Sequence, residues 1–337
     1  MRTAVIGLGR MGLRHLQVAL SKRLEIVGLC DSSPAALDNA VAEHGLARSL
    51  IYNDFATLLR AAAPECVVIA THAPSHAELV CAAAENGATH IFCEKPAAVS
   101  LAQCDQMIEV CRRYGARLAV NHQMRYMEQY RLPKRLLSSA EFGGFSSATF
   151  VTGNIGLAMN GTHYVEAFHY LADEPTSEVA ARLAPQSGSN PRGAAFRDAA
   201  GFIRLTTAFG RRMTLECGDD LGHGCQAVYA ARNGVIYVDE LAGRIRSSVR
   251  LSTHRDLPTT RYGMPAEINE GEIAPADALT PTRAVLDDLL ADGDYPTGES
   301  GRAALAAIVA AHVSSEAGGV AVRIDDGLPR ERCFPWA

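Results

Sequence analysis

Across the first 120 residues, short apolar runs alternate with longer stretches whose apolar residues recur at helical spacing. Ala4-Val5-Ile6, Glu25 to Cys30, Cys66 to Ala70, His90 to Cys93 and Leu118-Ala119-Val120 read as strands. Between them, Leu13 to Leu20, Pro34 to about Glu43, Ser75 to Asn86 and Leu101 to Tyr114 carry the helical period. Ser33-Pro34 predicts an N-cap with proline in the first helical position, and Gly87 and Gly115 predict helix ends. Strands this short and apolar, separated by helices, imply right-handed crossovers and a parallel sheet covered on both faces. The expected architecture is a doubly wound α/β nucleotide-binding domain over residues 1–122.

From about Phe145 the texture changes. Phe202 to Thr207, Met213 to Glu216 and Val235 to Val238 alternate apolar with polar residues, which predicts a mostly antiparallel open sheet with one face less buried. One helix, roughly Gly161 to Leu171, interrupts it near the start. The Pro- and Gly-rich stretches Pro185 to Gly193 and Pro258 to Pro281 predict loops, the second acidic toward its end. Two helices, about Thr282 to Ala291 and Ser300 to Ala317, follow. Residues 123–337 are therefore expected to form a second α/β domain, with its last helix free to pack back on the first. The exposed sheet face must meet water or another subunit, so a homodimer or homotetramer is expected.

A length of 337 residues suits two domains, and 48% hydrophobic with 20% charged residues is an ordinary globular composition. The net charge of -5, with scattered Lys and Arg, argues against nucleic acid and anionic membranes as partners. Of nine cysteines, Cys30, Cys66, Cys81, Cys93, Cys104 and Cys111 fall inside apolar patterns, and no CxxC occurs. They read as reduced thiols of a cytoplasmic protein. Met1-Arg2-Thr3 runs straight into a strand, so no signal peptide is expected, and no apolar run reaches the ~20 residues of a membrane span.

Gly7-Leu8-Gly9-Arg10-Met11-Gly12 follows a strand and opens a helix, the setting in which glycines give a tight turn, close approach to a pyrophosphate and close helix packing. The phosphates would rest on amides at the helix start near Met11. Asp31, with Ser32 beside it, ends the second strand at the spacing where a carboxylate accepts hydrogen bonds from an adenine-side ribose. That carboxylate repels a 2′-phosphate and favours NAD, whereas Arg10 would tolerate NADP. Thr71-His72-Ala73-Pro74-Ser75-His76 follows another strand and lies at the carboxyl edge of the sheet, where such folds bind ligands. Thr71, His72, Pro74 and His76 are candidate nicotinamide-side residues, although an ordinary first-turn role for His76 is equally compatible. Cys93-Glu94-Lys95-Pro96 places Glu94 and Lys95 at the end of a fourth strand, where a partly desolvated lysine handles a proton beside a bound nucleotide.

Taken together, GLGRMG, Asp31, the Thr71 to His76 loop and the Glu-Lys-Pro element make the chain resemble the glucose-fructose oxidoreductase, inositol dehydrogenase and MocA family. The resemblance extends to Asn121 to Tyr126 and to Thr297 to Gly301. It implies a Rossmann domain joined to an α/β domain whose open sheet forms subunit contacts. It also implies hydride transfer between NAD or NADP and a hydroxyl carbon of a sugar, cyclitol or related polyol, with Lys95 as proton carrier. The family's second catalytic element is an Asp followed four residues later by His, with a further acid three residues beyond. Here His163 takes the histidine position and Glu166 the later acid, but Met159 stands in the place of the first Asp. A thioether neither accepts a proton nor carries charge, and neighbouring Asn160 supplies hydrogen bonds only. His163 is the second catalytic candidate, and Arg125, Asn160 and Glu166 are candidate substrate contacts together with Lys95.

His163 and Glu166 share a helical face, but His169 is out of step and no HExxH or cysteine pair accompanies them, so no metal is expected. Neither a GxSxG elbow nor a GxxxxGK[ST] loop occurs. Two other functions stay open: a cofactor-retaining enzyme that uses hydride within one cycle on a sugar, and a nucleotide-binding regulator without turnover.

Overall fold

A computed structural model describes residues 1–185, 190, 192–222, 224–259, 263–274, 277, 279–325 and 327–337. Two compact units divide the chain: Met1–Gln123 with Ala278–Leu305 and Pro329–Ala337, and Met124–Asp277 with Ala306–Leu328. Where the sequence suggested a second domain over 123–337 with its last helix free to pack back, the chain re-enters the first unit twice, at Ala278–Leu305 and Pro329–Ala337.

In the first unit, β1 (Arg2–Ile6), α1 (Arg10–Ser21), β2 (Glu25–Cys30), α2 (Pro34–His44), β3 (Ile51–Tyr52) and α3 (Phe55–Ala62) are followed by β4 (Cys66–Ile69), α4 (His76–Glu85), β5 (His90–Cys93), α5 (Leu101–Tyr114) and β6 (Arg117–Val120). The strands form one parallel sheet in the order β3-β2-β1-β4-β5-β6. This is the doubly wound order, and its switch point lies between β1 and β4. The helix ends follow the local chemistry. Ser33 Oγ accepts the Ala36 N–H at the start of α2, and Ser100 Oγ does the same for Gln103 at the start of α5. Gly45 and Gly115 close those helices in the left-handed region, where a side chain is disfavoured.

The later part of the chain contains α6 (Glu128–Leu137), β7 (Phe145–Thr152), α7 (Thr162–Ala172), β8 (Thr176–Pro185), β9 (Ala199–Thr207), β10 (Arg212–Cys217), β11 (Cys225–Ala231), β12 (Gly234–Asp239), β13 (Arg244–Arg250), β14 (Ala266–Glu272), α8 (Leu279–Ala291), α9 (Gly298–Glu316) and β15 (Val322–Arg323). α8 belongs to the first unit because Val285, Leu286 and Leu289 are buried there and Lys22 of α1 is ion-paired with Asp287. Residues before α9 also cover the open edge of β6: the Val120 N–H donates to Pro296 O, and Ala119 bridges to Thr297. A Cβ on Gly301 would lie 2.7 Å from Val120 Cγ2, so this close seating requires glycine.

Nine strands of the second unit form a sheet in the order β14-β13-β12-β11-β7-β10-β9-β8-β15, antiparallel except where β7 meets β10. Phe150, Met213, Leu215, Ile203, Leu205, Tyr229, Ile236 and Val238 line its buried face, while Phe202, Arg204, Glu216 and Tyr237 are exposed on the other. Helix α7 packs on the buried face through Tyr164, tilted on Phe150 at 5.0 Å, and through Phe168 against Phe145. The predicted loop from Pro258 to Pro281 is corrected, since it contains β14, paired along all of β13. All seven β14 residues are exposed, so no alternation betrays the strand. Parts of the two predicted loops, at 186–189, 191, 260–262, 275, 276 and 278, lie outside the described residues. No described helix is long and apolar enough to cross a membrane.

One polar cluster enters this second core. The Tyr130 hydroxyl donates to Glu240 Oε1 at 2.5 Å, and the Tyr164 hydroxyl lies 3.4 Å from Oε2. Burial pushes the Glu240 carboxyl up to about 7, against the lowering effect of its bonds to Tyr130, Cys225 and Tyr164. A carboxyl raised on folding contributes stability that is complete below its unfolded pKa and lost as pH rises through the folded one. Chemical denaturation of Glu240→Gln and the parent should therefore show the variant gaining on the order of 2 kcal/mol relative to the parent between pH 5 and pH 8. A difference independent of pH would contradict the assignment.

Candidate functional site

The glycines of the first turn divide by what they touch. Gly7 has φ +89°, and a Cβ there would lie 2.7 Å from the Ala70 carbonyl. A Cβ on Gly12 would lie 1.9 Å from Gly7 O. Both glycines are demanded by the protein's own packing. Gly9 is different: a Cβ there meets nothing within 4 Å, so the turn keeps open space above its backbone at the start of α1. No side chain caps that helix start. A pyrophosphate fits such a cradle. Arg10 is exposed and Met11 half-buried beside it. Leu8 is 1% exposed, and its N–H is already donated to Asp31 Oδ2 at 2.5 Å. Asp31 Oδ1 accepts the Ser33 N–H at 2.7 Å, so the carboxylate is fixed between the glycine turn and α2 with lone pairs to spare for a ribose hydroxyl. Ser32 is exposed next to it.

At the end of β5 the chain buries a charge. Glu94 is 4% exposed, and its Oε1 lies 2.7 Å from His15 Nε2 and accepts the Asn121 amide at 2.8 Å. Burial raises its pKa, but the His15 hydrogen bond and charge, the Lys95 ammonium and Asn121 outweigh that and hold the carboxyl well below the usual range. Asn121 also donates to Gln123, which accepts from Thr282 of α8. One polar chain thus ties α1, β5, β6 and α8 together. Glu94, expected to touch the cofactor, is turned inward. Lys95 follows it at 7% exposure, with its backbone N–H donated to Glu94 Oε2.

The loop after β4 is similarly divided. Thr71 is half-buried, with its hydroxyl 2.7 Å from that of Ser75, and His72 and Pro74 are exposed. His76 is fully buried, with Nδ1 3.0 Å from Pro96 O and Nε2 3.1 Å from Thr71 O. Burial pushes its pKa down despite these carbonyls. Its ring clips the 71–76 loop to the segment after Lys95.

In the second unit, His163 and Glu166 sit on α7 at 7% and 2% exposure. Arg125 Nε lies 3.5 Å from Glu166 Oε1, and its guanidinium rests 5.0 Å from the Tyr170 ring centroid. The structure therefore brings Arg125, His163 and Glu166 to one helix. Asn160 is half-buried and donates its side-chain amide to Ile155 O. His169 faces Thr176 and has its pKa pushed down to about 4 by burial. Asp198 is the residue that local reasoning missed. It is 5% exposed and accepts the N–H groups of Ala158 and Met159 at 2.8 and 2.7 Å. The turn around Met159 is thus held by a carboxylate some forty positions away, and no local pattern in the sequence points to it. Among the described residues no cluster of His, Cys, Asp or Glu offers a metal site.

Comparison with known proteins follows the same lines. A model of the GFO_IDH_MocA oxidoreductase family, NAD-binding Rossmann fold, matches residues 1–122. D-apiose dehydrogenase of Paraburkholderia graminis is 31% identical over 289 residues, 78% of this chain and 72% of that protein. Inositol 2-dehydrogenase of Salmonella paratyphi B is 28% identical over 204 residues, and the match spans 56% of this chain and 59% of that relative's length. Among solved structures, an oxidoreductase from Agrobacterium radiobacter in complex with NAD+, L-tartaric acid and magnesium superposes with a TM-score of 0.79 at 20% identity, over 96% of this chain and 98% of that one. That likeness speaks for the fold. With the glycine turn, the Glu-Lys-Pro strand end and the extended match to D-apiose dehydrogenase in agreement, the chain belongs to the glucose-fructose oxidoreductase, inositol dehydrogenase and MocA family of oxidoreductases.

Proposed function

We propose that the chain transfers hydride between a nicotinamide dinucleotide and a hydroxyl-bearing carbon of a sugar, cyclitol or sugar-derived substrate. The observation that carries this reading is Lys95, an enclosed lysine at the carboxyl end of β5, joined through Glu94 and His15 to the helix that opens at the glycine turn. The names of the relatives, inositol 2-dehydrogenase and D-apiose dehydrogenase, support a CH–OH substrate. The amides at the start of α1 and the open space at Gly9 would hold the pyrophosphate, with Asp31 on the adenine-side ribose. Thr71, His72 and Pro74 are assigned to the nicotinamide side. When bound, the nicotinamide supplies or takes up the hydride.

The protein's own part is proton handling and orientation. Lys95 accepts the hydroxyl proton during oxidation and returns it during reduction. His163 is assigned to orient the hydroxyl, and Arg125 and Asn160 to hold neighbouring polar groups. Glu166 keeps the Arg125 guanidinium in place through its ion pair. Met159 favours a second reading, in which the cofactor is retained and hydride returns to the sugar within one cycle. Tight NAD(H) retention through gel filtration, with no net change in nicotinamide absorbance during sugar conversion, would select that second reading.

NAD is assigned over NADP on the fixed carboxylate of Asp31. The cytoplasm is assigned on the thiols, eight of which are buried and unoxidised with only Cys333 exposed. A homodimer or homotetramer is assigned on the open sheet face, where Phe202 and Tyr237 are about 40% exposed and Arg246 alternates with Glu270 across strands.

In a panel of sugars, inositols and sugar acids, Lys95→Met should lower kcat by roughly 10²–10⁴-fold with NADH affinity unchanged. Unchanged turnover would remove Lys95 from the mechanism. Asp31→Asn should shift the ratio of kcat/KM for NADP over NAD upward by about tenfold, since roughly 1.4 kcal/mol of repulsion corresponds to that factor. A parent protein that already prefers NADP would contradict this assignment. Light scattering should give a mass at least twice the 36.0 kDa of one chain, and a monomer would contradict the assembly.

A further inference from the structure

The segment from Glu94 to Ser100 is buried throughout yet belongs to neither β5 nor α5. Buried backbone outside a helix or sheet must find partners elsewhere. Its carbonyls find them one by one. Pro96 O and Ala97 O lie 3.0 and 3.3 Å from His76 Nδ1. Ala98 O accepts the indole N–H of Trp336 at 3.0 Å, and Val99 O accepts the backbone N–H of Phe334 at 2.9 Å. Just beyond, the Ala102 N–H donates to Arg330 O at 2.9 Å. Two stretches therefore hold the chain on the far side of Lys95: the His76 loop, and residues 330–336.

The second holder is itself firmly seated within the first unit. Trp336 is 1% exposed and Phe334 4%, with their rings stacked at 4.5 Å and an interplanar angle of 6°. The Arg332 guanidinium lies 4.6 Å from the Phe334 ring. Arg330 is ion-paired at 2.7 Å with Asp105 of α5, the carboxylate that also receives Arg302. A stretch that merely covered apolar surface would need the rings alone. This one also spends its indole N–H and a main-chain N–H on the carbonyls of Ala98 and Val99, which His76 does not reach.

We infer that residues 329–337 form a strap that positions Lys95, with Trp336 as the positioning residue. The inference rests on the proton-carrying role assigned to Lys95 and adds the device that sets its place. Trp336→Phe is the discriminating change, because it keeps an aromatic ring in the stack and deletes the donor to Ala98 O. Hydrogen exchange needs no substrate: in Trp336→Phe the amides from Lys95 to Leu101 should exchange at least tenfold faster, with β1 and β4 as protected as in the parent. Steady-state kinetics on a turned-over polyol should then show kcat reduced at least fivefold and the pH midpoint of kcat displaced, with NADH affinity within twofold of the parent.

Unchanged exchange across 95–101 would overturn the strap whether or not a substrate is found. Faster exchange with kcat and the pH midpoint unmoved would overturn its link to Lys95. Should Trp336→Phe not fold, Arg330→Ala, which cuts the Asp105 anchor and leaves the rings alone, is read by the same two measurements. The chain's only tryptophan is at this position, so its emission reports directly whether the strap is seated in the parent and in Arg330→Ala.

Discussion

A single buried carboxylate organises the first unit. Glu94 sits at the end of a central strand, and an ionised group there costs several kcal/mol unless charges and donors surround it. His15, Asn121 and the Lys95 ammonium meet that demand, and each comes from a different place in the chain. Satisfying Glu94 therefore fixes α1, the ends of β5 and β6 and, through Gln123 and Thr282, helix α8. Because α1 begins at the glycine turn, the same interaction that removes a buried-charge penalty also sets the position of Lys95 relative to the place where a pyrophosphate fits.

The second unit solves a comparable problem with a different carboxylate. Helix α7 presents His163 and Glu166, and the turn leading into it contains Met159. Asp198 accepts two amides of that turn from the start of β9. Charge is kept for holding the turn, and the side chain at position 159 is free to be apolar. Arg125 is clasped by Glu166 and Tyr170 of the same unit.

What was legible in the sequence was what is local. The glycine turn, Asp31, the cap at Ser33 and the Glu-Lys-Pro element each rest on residues close together, and periodicity marked β1, β2, β4, β5 and β6 within two residues. What escaped is long-range or lacks a burial pattern. His15 lies 79 positions from Glu94, and Trp336 lies 238 from Ala98. β3 has two residues, and β14 is exposed on both faces, so neither carries a period to read. Glu94 and His76 are legible in the sequence as polar residues beside strand ends, but the partners of their polar atoms are not. Both stand at the carboxyl edge of the sheet, and only the fold shows that their polar atoms point into the protein.

The chain has three lysines, of which Lys22 is paired with Asp287 and Lys134 with Asp173. Trace acetylation followed by mass spectrometry can therefore follow Lys95 against two internal standards in the same sample. If Lys95 stands beside the dinucleotide at the position set by Glu94, saturating NAD+ will slow its labelling several-fold while Lys22 and Lys134 are unaffected, and the Glu94→Gln variant will lose that protection. Equal labelling of Lys95 with and without the dinucleotide, in a protein shown to bind it, would contradict the account.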